Sequence, residues 1–155
     1  MRYTAPKVPK SRYRRSGHVM VEFALSFSVL FSIFTGTFQF GYTFYQYNVL
    51  AAAINDGARY ASLRPYDSTG PTPSSAFLTA VRSAVVYGDP SGGAKTVTPG
   101  LKTSNVNCSA TFTNGVPSAV TVSVSGYTIK SIFGGSTLTN KPKVTYAYQG
   151  IYSPY

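Results

Sequence analysis

Residues 23–55 contain no charged side chain, and the longest apolar run in the chain lies there. It opens Phe-Ala-Leu-Ser-Phe-Ser-Val-Leu-Phe-Ser-Ile-Phe over residues 23–34 and continues Thr-Gly-Thr-Phe-Gln-Phe over residues 35–40. A helix needs roughly 20 mainly apolar residues to cross a hydrocarbon core about 30 Å thick. Residues 23–45 meet that requirement. Ser, Thr and Gly are compatible with such a span, because the backbone bonds stay inside the helix. Aromatic residues recur at Phe23, Phe27, Phe31, Phe34, Phe38, Tyr42 and Tyr45. Steps of three and four place them in a single helical stripe, which reads as a packing surface. The pattern continues past the membrane edge through an apolar, Ala-rich stretch at residues 49–54, good helix-forming sequence. One continuous helix is predicted from about residue 19 to about residue 62, ending before Pro65. At about 1.5 Å per residue it is far longer than a bilayer is thick. Its second half must stand outside the membrane and pack on something. Gly36 and Gly41 permit a bend or a close helix contact.

The C-terminal part has shorter periods. Pro65, Gly70, Pro71 and Pro73 mark a loop. Residues 75–87 carry apolar side chains at Phe77, Leu78, Val81, Val85 and Val86, the spacing of a short amphipathic helix. Gly88-Asp89-Pro90 ends it, and a loop is expected to about residue 104. The remainder reads as strands at residues 106–113, 119–129 and 143–149. Asn114-Gly115 between the first two is a hairpin signal, since both turn positions accept positive φ. Val120, Val122 and Val124 share one face of the second strand; Val144, Tyr146 and Tyr148 share one face of the third. The fold class is therefore α+β: a long N-terminal hydrophobic helix and a small C-terminal domain of one short helix and an antiparallel sheet of about three strands. The sheet should cover its apolar face with the outer half of the long helix or with the short helix.

Charge sharpens the division. The chain has 155 residues and a formal net charge of +10. Arg2, Lys7, Lys10, Arg12, Arg14 and Arg15 all precede residue 17, and no acid does. From residue 18 onward eight basic residues face four acids, Glu22, Asp56, Asp67 and Asp89. The basicity is an N-terminal feature beside a membrane span, which reads as topogenic charge, and no nucleic-acid partner is expected. The positive-inside rule puts the N-terminus in the cytoplasm. The expected organisation is a basic cytoplasmic leader over 1–17, a transmembrane and assembly helix over 18–62, and an exported α+β domain over 63–155. The lone Cys108 excludes an intrachain disulfide and reads as a small buried or half-buried residue. One Cys and one His do not make a zinc site, which takes about four ligands. No Gly-rich phosphate loop or Gly-x-Ser-x-Gly elbow is present. Neither an enzyme nor a cofactor is expected.

The informative cluster is Arg14-Arg15-Ser16-Gly17-His18-Val19-Met20-Val21-Glu22-Phe23. A carboxylate at the head of a membrane helix is costly, by roughly 2.5–3.5 kcal/mol at mid-membrane and less near the surface; it calls for a partner, or sits solvated at the cytoplasmic edge close to Arg14 or Arg15. The segment resembles the cleavage site of type IV prepilin-like proteins, in which a basic leader ends in Gly and a Glu and an aromatic are the fifth and sixth mature residues. Gly17, Glu22 and Phe23 match. The resemblance implies cleavage between Gly17 and His18 by a prepilin peptidase. It also implies that Glu22 neutralises the new α-amine of a neighbouring subunit, a group whose free pKa near 8 leaves it largely protonated. Val21-Glu22-Phe23-Ala24-Leu25, followed by the Ala-rich run that closes Gly57-Ala58-Arg59-Tyr60-Ala61-Ser62, is similar to TadE-like pseudopilins of tight-adherence (Flp pilus) export systems. Two positions depart from the pattern: Ser16 precedes Gly17 where many relatives carry a basic residue, and no proline follows early in the apolar segment.

The resemblance implies a pseudopilin or minor pilin in the inner membrane. Its expected partners are the prepilin peptidase, other pilins, an inner-membrane export platform and lipid. Phe27, Phe31, Phe34 and Phe38 would serve helix packing, and Gly57, Arg59 and Tyr60 form the motif at the helix end. A Sec signal peptide fits less well, because its apolar region runs about 7–15 residues. The competing reading is a single-pass anchored binding protein with an uncleaved N-terminus.

Overall fold

The computed structural model of the chain describes residues 1–4, 13–131 and 134–154. Residues 5–12 of the expected basic leader lie outside the described residues. The chain divides into two compact units, Met1–Phe40 and Gly41–Tyr155. Helix α1, Tyr13–Leu63, contributes to both. It ends two residues before Pro65, as expected. It starts earlier than about residue 19, so the last residues of the expected leader are helical. No proline stands between Pro9 and Pro65, and extending an existing helix backwards costs far less than nucleating one.

In the first unit, α1 exposes its apolar side chains. In the second, one face of α1 is buried: Leu50, Ile54, Ala58 and Ala61 recur every three or four residues and are closed to solvent. Helix α2, Ser75–Tyr87, has the bounds its pattern predicts. Ser74 caps it, its hydroxyl accepting from Phe77 N at 3.2 Å, and Gly88 closes it by donating its N–H to Ala84 O at 3.0 Å. Ser74 Oγ also donates to Asp67 Oδ2 at 2.6 Å, so the preceding loop is tied to the cap. A single 3-10 turn, Thr103–Asn105, lies inside the expected loop.

Strands β1, Val106–Thr113, and β2, Val116–Val124, pair antiparallel. Asn114 and Gly115 take positive φ, 54° and 80°, at the turn between them. The alternation expected across residues 119–129 does not form one strand. Gly126, at φ 69°, ends the run, and β3, Tyr127–Ser131, pairs instead with an unanticipated β4, Gly134–Leu138. The third expected strand is β5, Lys143–Ala147, two residues shorter than predicted. The result is a three-stranded sheet in the order β1-β2-β5 and a separate β3-β4 pair. Val120, Val122 and Val124 share the buried face with Val106 and Ala110. The core of the second unit joins these to α1 and to Phe77, Val81 and Val85 of α2. Both helices therefore cover the sheet, where either one had been expected to do so.

The C-terminal segment is fastened to the end of α1. Gln149 N donates to Ser62 O at 2.9 Å, Tyr66 N to Ile151 O at 2.9 Å and Ser153 N to Tyr66 O at 3.0 Å. Tyr148 OH donates to Arg64 O at 2.9 Å and Ile151 O at 2.8 Å. Tyr66 is fully buried against Phe77, Phe112, Tyr148 and Tyr152 at centroid distances of 5.3–6.5 Å.

Candidate functional site

Gly17, His18, Glu22 and Phe23 all lie on exposed turns of α1. A Cβ built on Gly17 would meet nothing within 4 Å, so that position is open to an approaching protein. His18 and Glu22 are four residues apart, about 6 Å of helix rise and one face. Phe23 stacks on Phe27 at 6.0 Å and Phe27 on Phe31 at 5.9 Å. Phe34 and Phe38 extend the stripe, and all five rings remain more than half exposed. The stripe that the sequence shows is thus an apolar surface with no cover among the described residues. Four hydroxyls on this helix are spent internally. Ser28, Ser32, Thr35 and Thr37 each donate to the carbonyl four residues back, at 2.8–2.9 Å. Such bonds let hydroxyls sit at membrane depth without an unmet donor. By length and composition, Gly17–Leu63 is able to cross a membrane once.

The residues at the helix end play different parts. Gly57 is buried, and a Cβ there would stand 2.2 Å from Val85 Cγ2 of α2. Only a residue without a side chain lets the two helices approach so closely. Tyr60 is half-buried, and Arg64 lies over its ring at 5.8 Å while donating to its hydroxyl. Arg59 is exposed and lines an open depression of about 360 Å³ with Leu63, Tyr146, Ala147 and Gln149. A second groove of about 400 Å³, lined by Val49, Ala52, Asp56, Tyr60 and Val97, runs between α1 and the segment after α2.

Gly17 and Arg59 bracket the region in which these features fall. Residues 17–59 match the family of TadE-like proteins. The resemblance drawn from the opening and closing motifs is borne out over that stretch. No curated protein and no solved structure matches the chain. The TadE-like match takes in Gly17, His18, Glu22, the aromatic stripe, Gly57 and Arg59, and stops one residue short of Tyr60.

Beyond the matched stretch, the ionisable groups with shifted pKa values are buried structural ones. Burial pushes the Tyr66 phenol up to about 12, with Cys108 and Asp67 adding to it. Burial likewise pushes the Cys108 thiol up to about 12, against a smaller lowering by Arg82. Tyr148 is also raised, mainly by burial. A thiol held protonated in this way is a poor nucleophile. Among the described residues, no three of His, Cys, Asp and Glu come together as a metal set would require. The tyrosine cluster around Tyr66 escaped the sequence reading. Its members Tyr66, Tyr148 and Tyr152 come from two distant segments, and the hint in the sequence was the count of 13 tyrosines.

Proposed function

We propose that the chain is a pseudopilin or minor pilin that takes part in assembling a type IV-like, tight-adherence pilus or the secretion machine related to it. The observation that carries this reading is the TadE-like match over residues 17–59, laid on a helix whose exposed apolar stretch follows directly on Glu22. In this reading a prepilin peptidase cuts between Gly17 and His18. The helix then anchors the subunit in the inner membrane with its N-terminus on the cytoplasmic side, where the six basic residues before Gly17 direct it. The domain after residue 62 stands outside. The subunit works by binding other pilins and an export platform, not by catalysis.

The physics of assembly follows from the solvent. Lipid tails are as apolar as the Phe stripe, so burying that stripe against a neighbour gains packing contacts but little hydrophobic free energy. A charge pair in a low-dielectric setting is worth far more than the same pair in water. The Glu22 carboxylate meeting the His18 α-amine of a neighbouring subunit is therefore the contact that sets axial register. The stripe then supplies the shape.

The deciding experiment is the intact mass of membrane-extracted protein, with and without a co-expressed prepilin peptidase. A peptidase-dependent product beginning at His18 supports the reading. A chain that retains its leader beside a peptidase proven active on a control substrate refutes it, in favour of a plain anchored binding protein. Glu22→Ala is expected to insert normally and fail to assemble; normal piliation or export by that variant would count against the role given to Glu22.

A further inference from the structure

The two edges of the three-stranded sheet differ. Along β1, Ala110 donates its N–H to Pro71 O at 3.0 Å, and Val106 O accepts from Arg82 Nε at 3.0 Å. That edge is occupied by the chain itself. Along β5, two bonds fix the phase of the ladder: Tyr148 N to Ser118 O at 2.9 Å, and Val124 N to Pro142 O at 3.3 Å. With the register Val120↔Tyr146 and Val122↔Val144, the rungs to β2 fall at Pro142, Val144, Tyr146 and Tyr148. Alternate residues of an antiparallel strand turn their backbone groups the other way. Lys143, Thr145, Ala147 and Gln149 therefore aim N–H and C=O away from β2. The outward N–H of Gln149 is met by Ser62 O of α1 at 2.9 Å. The end of α1 closes that rung and leaves Thr145 and Ala147 next in line, both exposed.

Beside these rungs lies the depression lined by Arg59, Leu63 and Gln149. Leu63 is 55% exposed and offers an apolar ridge, and the Arg59 guanidinium stands in solvent. A strand edge, an apolar ridge and a guanidinium together suit one kind of occupant. We propose that the β5 edge takes an extended segment of a partner protein, which pairs with Thr145 and Ala147 and sets a carboxylate on Arg59. In strand addition the main-chain bonds give affinity and the flanking groups give specificity. A planar guanidinium binds a carboxylate through two parallel bonds, which fixes the register of the added strand. Charge selects the partner. Residues 41–155 hold eight basic side chains against three acids, and Lys143 sits on the edge itself. An edge lysine discourages pairing between two copies, while the same charge favours an acidic strand. The proposal goes beyond the pilus reading and does not rest on it, since a chain that kept its leader would present the same edge.

The test uses the full chain in detergent micelles and short synthetic peptides of alternating Val and Thr, with Glu, Gln or Lys at the central position. Amide hydrogen exchange at Thr145 and Ala147 and the anisotropy of labelled peptide are read together. The Glu peptide is expected to slow exchange at both amides. The Gln peptide should bind about tenfold more weakly, the effect of losing one bond to a charged group, and the Lys peptide not measurably. Arg59→Gln should bring the Glu peptide down to the affinity of the Gln peptide. Thr145→Pro removes an outward N–H without touching a β2 rung, and should abolish binding of all three. Unchanged exchange at Thr145 and Ala147 with the Glu peptide, or equal affinity for the Glu and Lys peptides, overturns the proposal. Either result leaves the cleavage assay at His18 unaffected, so the two readings fail separately.

Discussion

Replacing Gly57 with Ala sets two opposed effects against each other at one site. In an exposed helix interior the exchange should stabilise by roughly 1 kcal/mol, because Gly loses more backbone entropy on folding than Ala. At position 57 the added Cβ would fall 2.2 Å from Val85 Cγ2, 3.4 Å from Val85 Cβ and 3.6 Å from Val85 Cα. Only the first of these is impossible, and it involves a methyl group that is itself fully buried. The helices must separate or Val85 must leave its rotamer. Overpacking of a close contact costs about 1–3 kcal/mol, so after the propensity gain of roughly 1 kcal/mol a net loss of up to about 2 kcal/mol is expected. Gly36→Ala and Gly41→Ala are the controls, since a Cβ at either meets nothing within 4 Å. They should leave the domain at least as stable as the parent, by up to the propensity gain of roughly 1 kcal/mol. Val85→Ala removes the clashing methyl and leaves Val85 Cβ at an ordinary distance. The double variant Gly57→Ala/Val85→Ala should therefore be more stable than the sum of the single changes predicts, by about 1 kcal/mol or more, as coupled neighbours are. The assay is urea unfolding of the full chain in detergent, followed by the circular dichroism of the sheet. A Gly57→Ala protein stabilised by the full propensity gain, or strictly additive energies in the cycle, would refute the close-approach argument.

Other perturbations bear on the capped helix and the buried acids. Ser74→Ala removes both the N-cap bond to Phe77 N and the bond to Asp67 Oδ2; it should cost about 1 kcal/mol, read as a lowered midpoint in the same urea assay. Cys108 and Tyr66 are acids whose folded pKa values are raised, from 9 and 10 to about 12. The folded state binds their protons more tightly, so their contribution is fully present below pH 9 and is lost as pH rises towards 12. Stability should be flat from pH 7 to 9 and then fall, and Cys108→Ala should delay the onset; a fall of equal size and onset in that variant would contradict the assignment. The native Cys108 should also resist a thiol reagent at pH 8 and react at once in urea.

Much of this fold is legible where local chemistry and global pattern agree. The bounds of α2 follow from Ser74 and Gly88, which punctuate a clear apolar period. The β1–β2 turn follows from Asn114-Gly115. The break after β2 was harder to see, yet the chain carries a sign of it. The buried residues Val120, Val122 and Val124 are even-numbered, whereas Tyr127 and Ile129 are odd-numbered. A strand cannot change the parity of its buried positions without turning over, and Gly126 is where it does so. β4 left no such sign, because Gly-Gly-Ser-Thr-Leu is almost wholly exposed and its pairing with β3 is set by connection, not by burial. The closure of the C-terminal segment on Ser62 and Tyr66 rests on backbone bonds across more than 80 residues of sequence, which no local pattern encodes.

The residues of the TadE-like stretch answer to two different kinds of constraint, and the structure separates them. Gly57 lies inside its own domain, and its requirement is explained by Val85, a residue outside the matched stretch. Gly17, Glu22, the Phe stripe and Arg59 lie on exposed surface. Nothing in the packing of the described residues demands a glycine at 17 or an acid at 22, and the bare cost of an acid at a membrane helix argues against keeping one there. Changes at Gly57 should therefore show in the stability of the purified chain. Changes at Gly17, Glu22 and Arg59 should leave that stability within about 0.5 kcal/mol, as surface substitutions do, and show only when a peptidase, a neighbouring subunit or an extended partner is present. A destabilised purified chain from Glu22→Ala would place that residue among the structural ones and remove the case for an external amine.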